Sequence, residues 1–92
     1  MAQRTDIHEA DGAVPIITAS GEGDVLVIQN AGNSPVEVDD APVSLADPTK
    51  RGMVILPGQT QVWTGTLCRH AWYVTCGAGV TVPITWKRYT AG

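Results

Sequence analysis

The sequence predicts an all-β protein, a small antiparallel β-sandwich or barrel of about seven or eight short strands with an N-terminal extended arm. Three observations predict it. Short runs rich in Val, Ile, Thr and Trp alternate apolar with polar residues, Gly, Pro and Asn turn signals separate them, and no stretch sustains a helical period. With 92 residues there is room for one core, so the expected organisation is an arm over 1–13 and a single sandwich domain over 14–92.

Residues 1–13 carry Arg4, Asp6, Glu9 and Asp11 without a period and read as an arm, either a frayed terminus or a segment that orders against a neighbouring subunit with Ile7 and His8 as its contacts. Val14–Ala19 is the first expected strand, and Pro15 places it at an edge or marks its start. In Val25–Asn30 four consecutive apolar residues put side chains on both faces, which predicts a strand covered on both sides. Ala31-Gly32-Asn33-Ser34 turns the chain into Val36–Asp39, making a hairpin. From Asp40 to Arg51 the pattern predicts a surface loop with a short edge strand at Val43-Ser44-Leu45.

A second hairpin is expected over residues 53–65. Pro57 presets φ at the first central position of a turn and Gly58 supplies the positive φ of a type II turn. Ala71–Cys76 reads as the next strand, and Val80–Trp86 places Val80, Val82, Ile84 and Trp86 on one face. Pro83, on the opposite face, implies an edge or a bulge.

Apolar residues make up 43% of the chain and charged residues 16%, against about 25% charged in a typical domain. A chain of this length folds to roughly 5,000 Å² of surface and buries a modest fraction of its unfolded area, so a partner surface would add stability. Composition therefore favours an assembly component. The net charge of -3 excludes the basic footprint of a nucleic-acid binder, and no apolar run reaches membrane-spanning length. The opening residues lack the apolar centre of a signal peptide, which predicts synthesis in the cytoplasm and reduced thiols at Cys68 and Cys76.

No catalytic constellation assembles. His8 and His70 stand in no nucleophile-base spacing, and Cys68, His70 and Cys76 make three metal ligands where a structural zinc site takes four. No cofactor and no metal are expected. Glu37, Asp39, Asp40 and Asp47 read as a solvated acidic face. Three tryptophans invite a carbohydrate-binding reading, but Trp86 shares a face with Val80, Val82 and Ile84, and Trp72 with Val74 and Cys76, so both are expected in the core. Trp63, beside Gln61 and Gly65, is the candidate for exposure.

Val25 to Val38, followed by Gly52 to Gln59 and a strand near Trp72-Tyr73-Val74, resembles the small all-β virion proteins of tailed bacteriophages. The shared pattern is strand, Asn-x-Gly-type turn, strand, Leu-Pro-Gly-Gln, then a strand with a bulky aromatic. The resemblance covers residues 24–86. It implies a non-enzymatic capsid decoration (cement) protein, commonly trimeric, bound to the major capsid protein on the virion surface. Tail, neck or fibre-attachment components are the alternative within the virion. The expected partner contacts are Ile7 and His8 in the arm, Pro42, Val43 and Leu45 in the loop, and Trp63.

Overall fold

Alternation, β-branched content and turn chemistry form the strands, and a buried asparagine decides how they are layered. The computed structural model describes residues 2–91, so Met1 of the expected arm and Gly92 of the expected domain lie outside them. Seven strands run as β1 (Gln3–Ile7), β2 (Val25–Asn30), β3 (Val36–Asp39), β4 (Met53–Ile55), β5 (Thr60–Thr64), β6 (Tyr73–Cys76) and β7 (Val82–Tyr89). They form two antiparallel sheets, ordered β1-β7-β2-β5 and β4-β3-β6. The expected all-β sandwich is present, with an accessible surface of 5142 Å².

Neither expected hairpin pairs with itself. The 56–59 turn forms as its residues dictate, with the Gln59 N–H donating to the Leu56 carbonyl at 2.9 Å and Gly58 at φ 80°. Its two arms, however, enter different sheets: β4 pairs with β3, and β5 pairs with β2. β2 and β3 are likewise split between the layers.

Asn30 explains why both connections cross at one corner. Its amide nitrogen donates to the carbonyls of Ser34 at 2.8 Å and Ile55 at 2.9 Å, and its side-chain oxygen accepts from the Gly32 N–H at 2.9 Å. Its own main chain accepts from the Gly58 N–H and donates to the Gln59 carbonyl. A fully buried amide with this many partners ties β2, the 31–35 turn, the end of β4 and the 56–59 turn together.

The core lies between the layers. Leu26, Ile28, Val82 and Ile84 of the first sheet belong to one apolar cluster with Val36, Val38, Ile55 and Val74 of the second. Each such side chain contributes roughly 1.5–3 kcal/mol by leaving water. Cys68 and Cys76 join the cluster as free, buried thiols.

The segment expected as an N-terminal arm is extended, as expected, and pairs within the chain. Gln3–Ile7 forms β1 antiparallel to β7, and Ile7 is fully buried, so its side chain serves this chain's own core rather than a partner. This makes β7 an internal strand, where Pro83 implied an edge or a bulge. The proline is accommodated because its carbonyl accepts from the Ala31 N–H. N–H and C=O of one strand residue point the same way, so the missing donor falls just past the last residue of β2.

Two further expectations are corrected. Val14–Ala19 is no strand; it contributes one bridge, Ile17 to Trp72, because the N–H groups of both Ile16 and Ile17 converge on the Trp72 carbonyl. Val43-Ser44-Leu45 is no edge strand, since Val43 donates to Gly12 and Ser44 to Lys50 within an irregular loop. The last strand also starts later and runs further than expected, and Val80 lies outside it, exposed.

Candidate interaction surface

Glu37 sits at the centre of the outer face of the second sheet. β3 alternates Val36 and Val38 inward with Glu37 and Asp39 outward, yet Glu37 is only 4% exposed. The chain returning from the 40–52 loop folds over it. Arg51 Nε donates to both carboxylate oxygens at 2.9 and 3.0 Å, Arg51 Nη2 donates to Oε2, and the Gly52 N–H donates to Oε1 at 2.9 Å. This forked, charge-assisted clamp holds the Glu37 carboxyl below the usual carboxylate range; the Arg51 hydrogen bonds dominate over the opposing effect of burial, and the Gly52 N–H adds to them.

A second lock holds the other end of the loop. The 3-10 turn Glu9–Ala13 lies on β6, where Thr75 Oγ1 donates to the Glu9 carbonyl at 2.8 Å. Gly12 approaches so closely that a Cβ there would overlap the Val43 carbonyl and the Thr75 side chain, and the Val43 N–H donates to Gly12 at 3.0 Å. Between the locks, Asp47 accepts from the Thr49 N–H at 2.9 Å and from its hydroxyl at 2.7 Å.

The 42–46 segment therefore stands as a fixed rib between two shallow depressions. One, of about 450 Å³, is lined by Glu9, Gly12, Ala13, Pro42, Val43 and Lys50 among others; the second, of about 300 Å³, by Pro35, Glu37, Leu45, Arg51 and Val54 among others. Beside the second depression the β4 edge leaves Val54 48% exposed, and Leu56 in the following turn 48%; Met53, 53% exposed, lies on the opposite face of the same edge strand. Chemically this is a rigid, largely apolar relief with an internally neutralised ion pair. Such a relief suits burial against another surface.

The residues expected at an interface are distributed as follows. Pro42 is exposed on the rib, Leu45 is half-buried in one depression, and Val43 is buried beneath them. His8 is exposed and caps the 3-10 turn, its N–H donating to Asp11 at 2.6 Å. Trp63 lies on the other sheet and points inward, stacked at 43° on Trp72 with ring centroids 4.7 Å apart. Its partner strand explains the direction: Trp63 is opposite Leu26, an inward residue. Trp72 is buried, and Trp86 packs against the core.

The Glu37–Arg51 clamp, Val54, Met53 and Leu56 escape sequence reasoning. The signal for the clamp is a lone glutamate between two valines in a strand whose neighbours face the core. The expected acidic face does not form as one. Glu37 is clamped, Asp47 binds its own loop, and Asp40 Oδ2 lies 3.2 Å from His70 Nδ1, which is the main reason its carboxyl is held low. Asp39, beside it, is pushed up chiefly by burial.

The remaining reactive groups point apart. Cys68 Sγ donates to the Trp63 carbonyl, Cys76 Sγ to those of Ile7 and Val80, and His70 pairs with Asp40. Burial raises the Cys76 thiol, and the nearby charges of Asp11 and Glu9 raise it further. Among the described residues no three His, Cys, Asp or Glu side chains converge, and no helix is long and apolar enough to cross a membrane. No protein-family model, no curated protein and no solved structure matches the chain.

Proposed function

We propose that this chain is a non-enzymatic structural protein of a tailed-phage virion, a capsid decoration protein that binds the major capsid protein through the relief around the 42–46 rib. The observation that carries this reading is the exposed pair Val54 and Leu56, on the Glu37 side of the β4 edge, beside a loop held at both ends by hydrogen bonds. A surface already ordered before binding loses little entropy when it docks, so apolar burial converts more fully into affinity. The resemblance of its turn pattern to phage virion proteins is what supports this choice of partner. A protein that binds only the assembled shell stabilises it by mass action.

A tail, neck or fibre-attachment component would use the same relief on a different virion partner. The carbohydrate-binding alternative gains no support, because sugar stacking needs an open ring face and Trp63 and Trp72 cover one another.

The test is reconstitution on virions lacking this chain, with Val54→Glu as the probe. Wild-type protein is expected to restore shell density and heat resistance, and the variant to lose binding at least tenfold while keeping its fold. Heads that neither bind the protein nor change in heat resistance would sink the capsid reading, and binding at the tail would favour the alternative.

A further inference from the structure

β5 is the last strand of the first sheet, and its pairing with β2 fixes which backbone groups are engaged. Asn30 donates to the Gln59 carbonyl, Gly65 donates to Asp24, and the register sets Gln61 opposite Ile28 and Trp63 opposite Leu26. The odd-numbered residues thus turn their N–H and C=O toward β2. Those of Thr60, Val62 and Thr64 turn to the free edge, where no further strand lies and no loop or turn hydrogen bond among the described residues reaches them.

We propose that β5 is a homodimerisation edge, pairing antiparallel with β5 of a second copy of this chain about a two-fold axis at Val62. The spacing is self-complementary. Thr60 of each copy comes opposite Thr64 of the other and Val62 opposite Val62, so every free donor and acceptor of these residues finds its complement. On the outer face the same register makes Thr–Thr, Val–Val and Thr–Thr cross-strand pairs, all of them good β-formers, and covers a valine that is 57% exposed in the monomer.

Charge selects the partner. Two copies each carrying -3 repel overall, yet no charged residue occurs from Gly52 to Cys68, so at this edge two copies meet without like charges. The opposite edge of the same sheet offers no neutral row: there the free groups belong to Arg4 and Asp6, both charged and exposed. A foreign peptide adding to an edge is chosen by pockets for its alternate side chains, and none of the depressions around residues 9–50, 20–23 and 88–90, and 35–54 is lined by a β5 residue.

The pairing names a second copy as partner and stands independently of capsid binding. Sedimentation of the full chain over a concentration series is expected to show reversible monomer–dimer exchange, with the amides of Thr60, Val62 and Thr64 gaining hydrogen-exchange protection as the dimer fills. Val62→Lys and Val62→Glu, each folded by circular dichroism, are expected to dimerise at least tenfold more weakly alone and to associate when mixed, because lysine then faces glutamate across the axis. A monomer throughout the series, no rise in protection at those amides, unchanged dimerisation of both variants, or a mixture that stays monomeric would overturn the proposal. So would a trimer, the state that the phage resemblance implies, and that outcome would leave the virion reading intact.

Discussion

The two sheets share one core but treat their outer faces oppositely. Over the three-stranded sheet the chain lays its own cover: Glu9–Ala13 lies on β6, the 42–46 rib joins it, and Arg51 closes over Glu37. Outward residues there, Glu37 and Thr75, are consequently buried. Over the four-stranded sheet nothing comparable arrives. Val27 stays half-buried, Val62 and Tyr89 are exposed, and Lys87 lies 5.3 Å from the Tyr89 ring. The difference teaches that two runs of similar apolar content end in different environments according to whether a loop is long enough to fold back. The 13-residue connection between β3 and β4 (residues 40–52) does so.

The largest expected effect removes the corner that separates the faces. Asn30→Asp loses the amide donor to Ser34 and Ile55 and places a carboxylate against two carbonyls, so unfolding stability measured in denaturant should fall by about 3 kcal/mol or more. A loss near zero would mean that the two sheets are joined by packing alone.

Next comes a change that opens only the covered face. Gly12→Val forces the 3-10 turn away from Val43 and Thr75, and should cost about 1–3 kcal/mol while raising hydrogen exchange at Val43.

Glu37→Gln weakens the same cover by about 1 kcal/mol, a discounted value because Arg51 is half exposed. The pH dependence sharpens it. The folded carboxyl titrates below its ordinary value of 4.5, so its contribution is complete above that value and is lost as pH falls through the lower, folded pKa. Urea titrations should therefore show wild type and Glu37→Gln converging in acid and diverging toward neutrality.

The smallest effect belongs to the open face. Val62→Thr should leave monomer stability within about 0.5 kcal/mol. A larger loss at dilutions where the chain is monomeric would mean that this face is not open after all.

Much of the candidate surface was legible only in fragments. Pro42 and Leu45 stood out as apolar residues in a polar loop and are on the relief. Ile7 and Val43 stood out for the same reason but are buried, because apolar character alone does not say whether the covering surface belongs to the same chain. Arg51 could not be assigned to Glu37, since the pair is joined by a loop whose path has no period to read.

The sequence by itself determined that the chain is β, where β2, β3, β6 and the Pro57-Gly58 turn lie, and which residues of β2 and β3 alternate. These are local properties, set by side-chain branching, period and φ preference. Only the tertiary structure decided that β2 and β3, and β4 and β5, belong to different layers, that residues 3–7 complete a sheet, and that Trp63 points inward. A strand's alternation states that it has two faces but leaves its ladder free to accept any neighbour. The choice fell to contacts distant in sequence, above all those of buried Asn30 with Ile55.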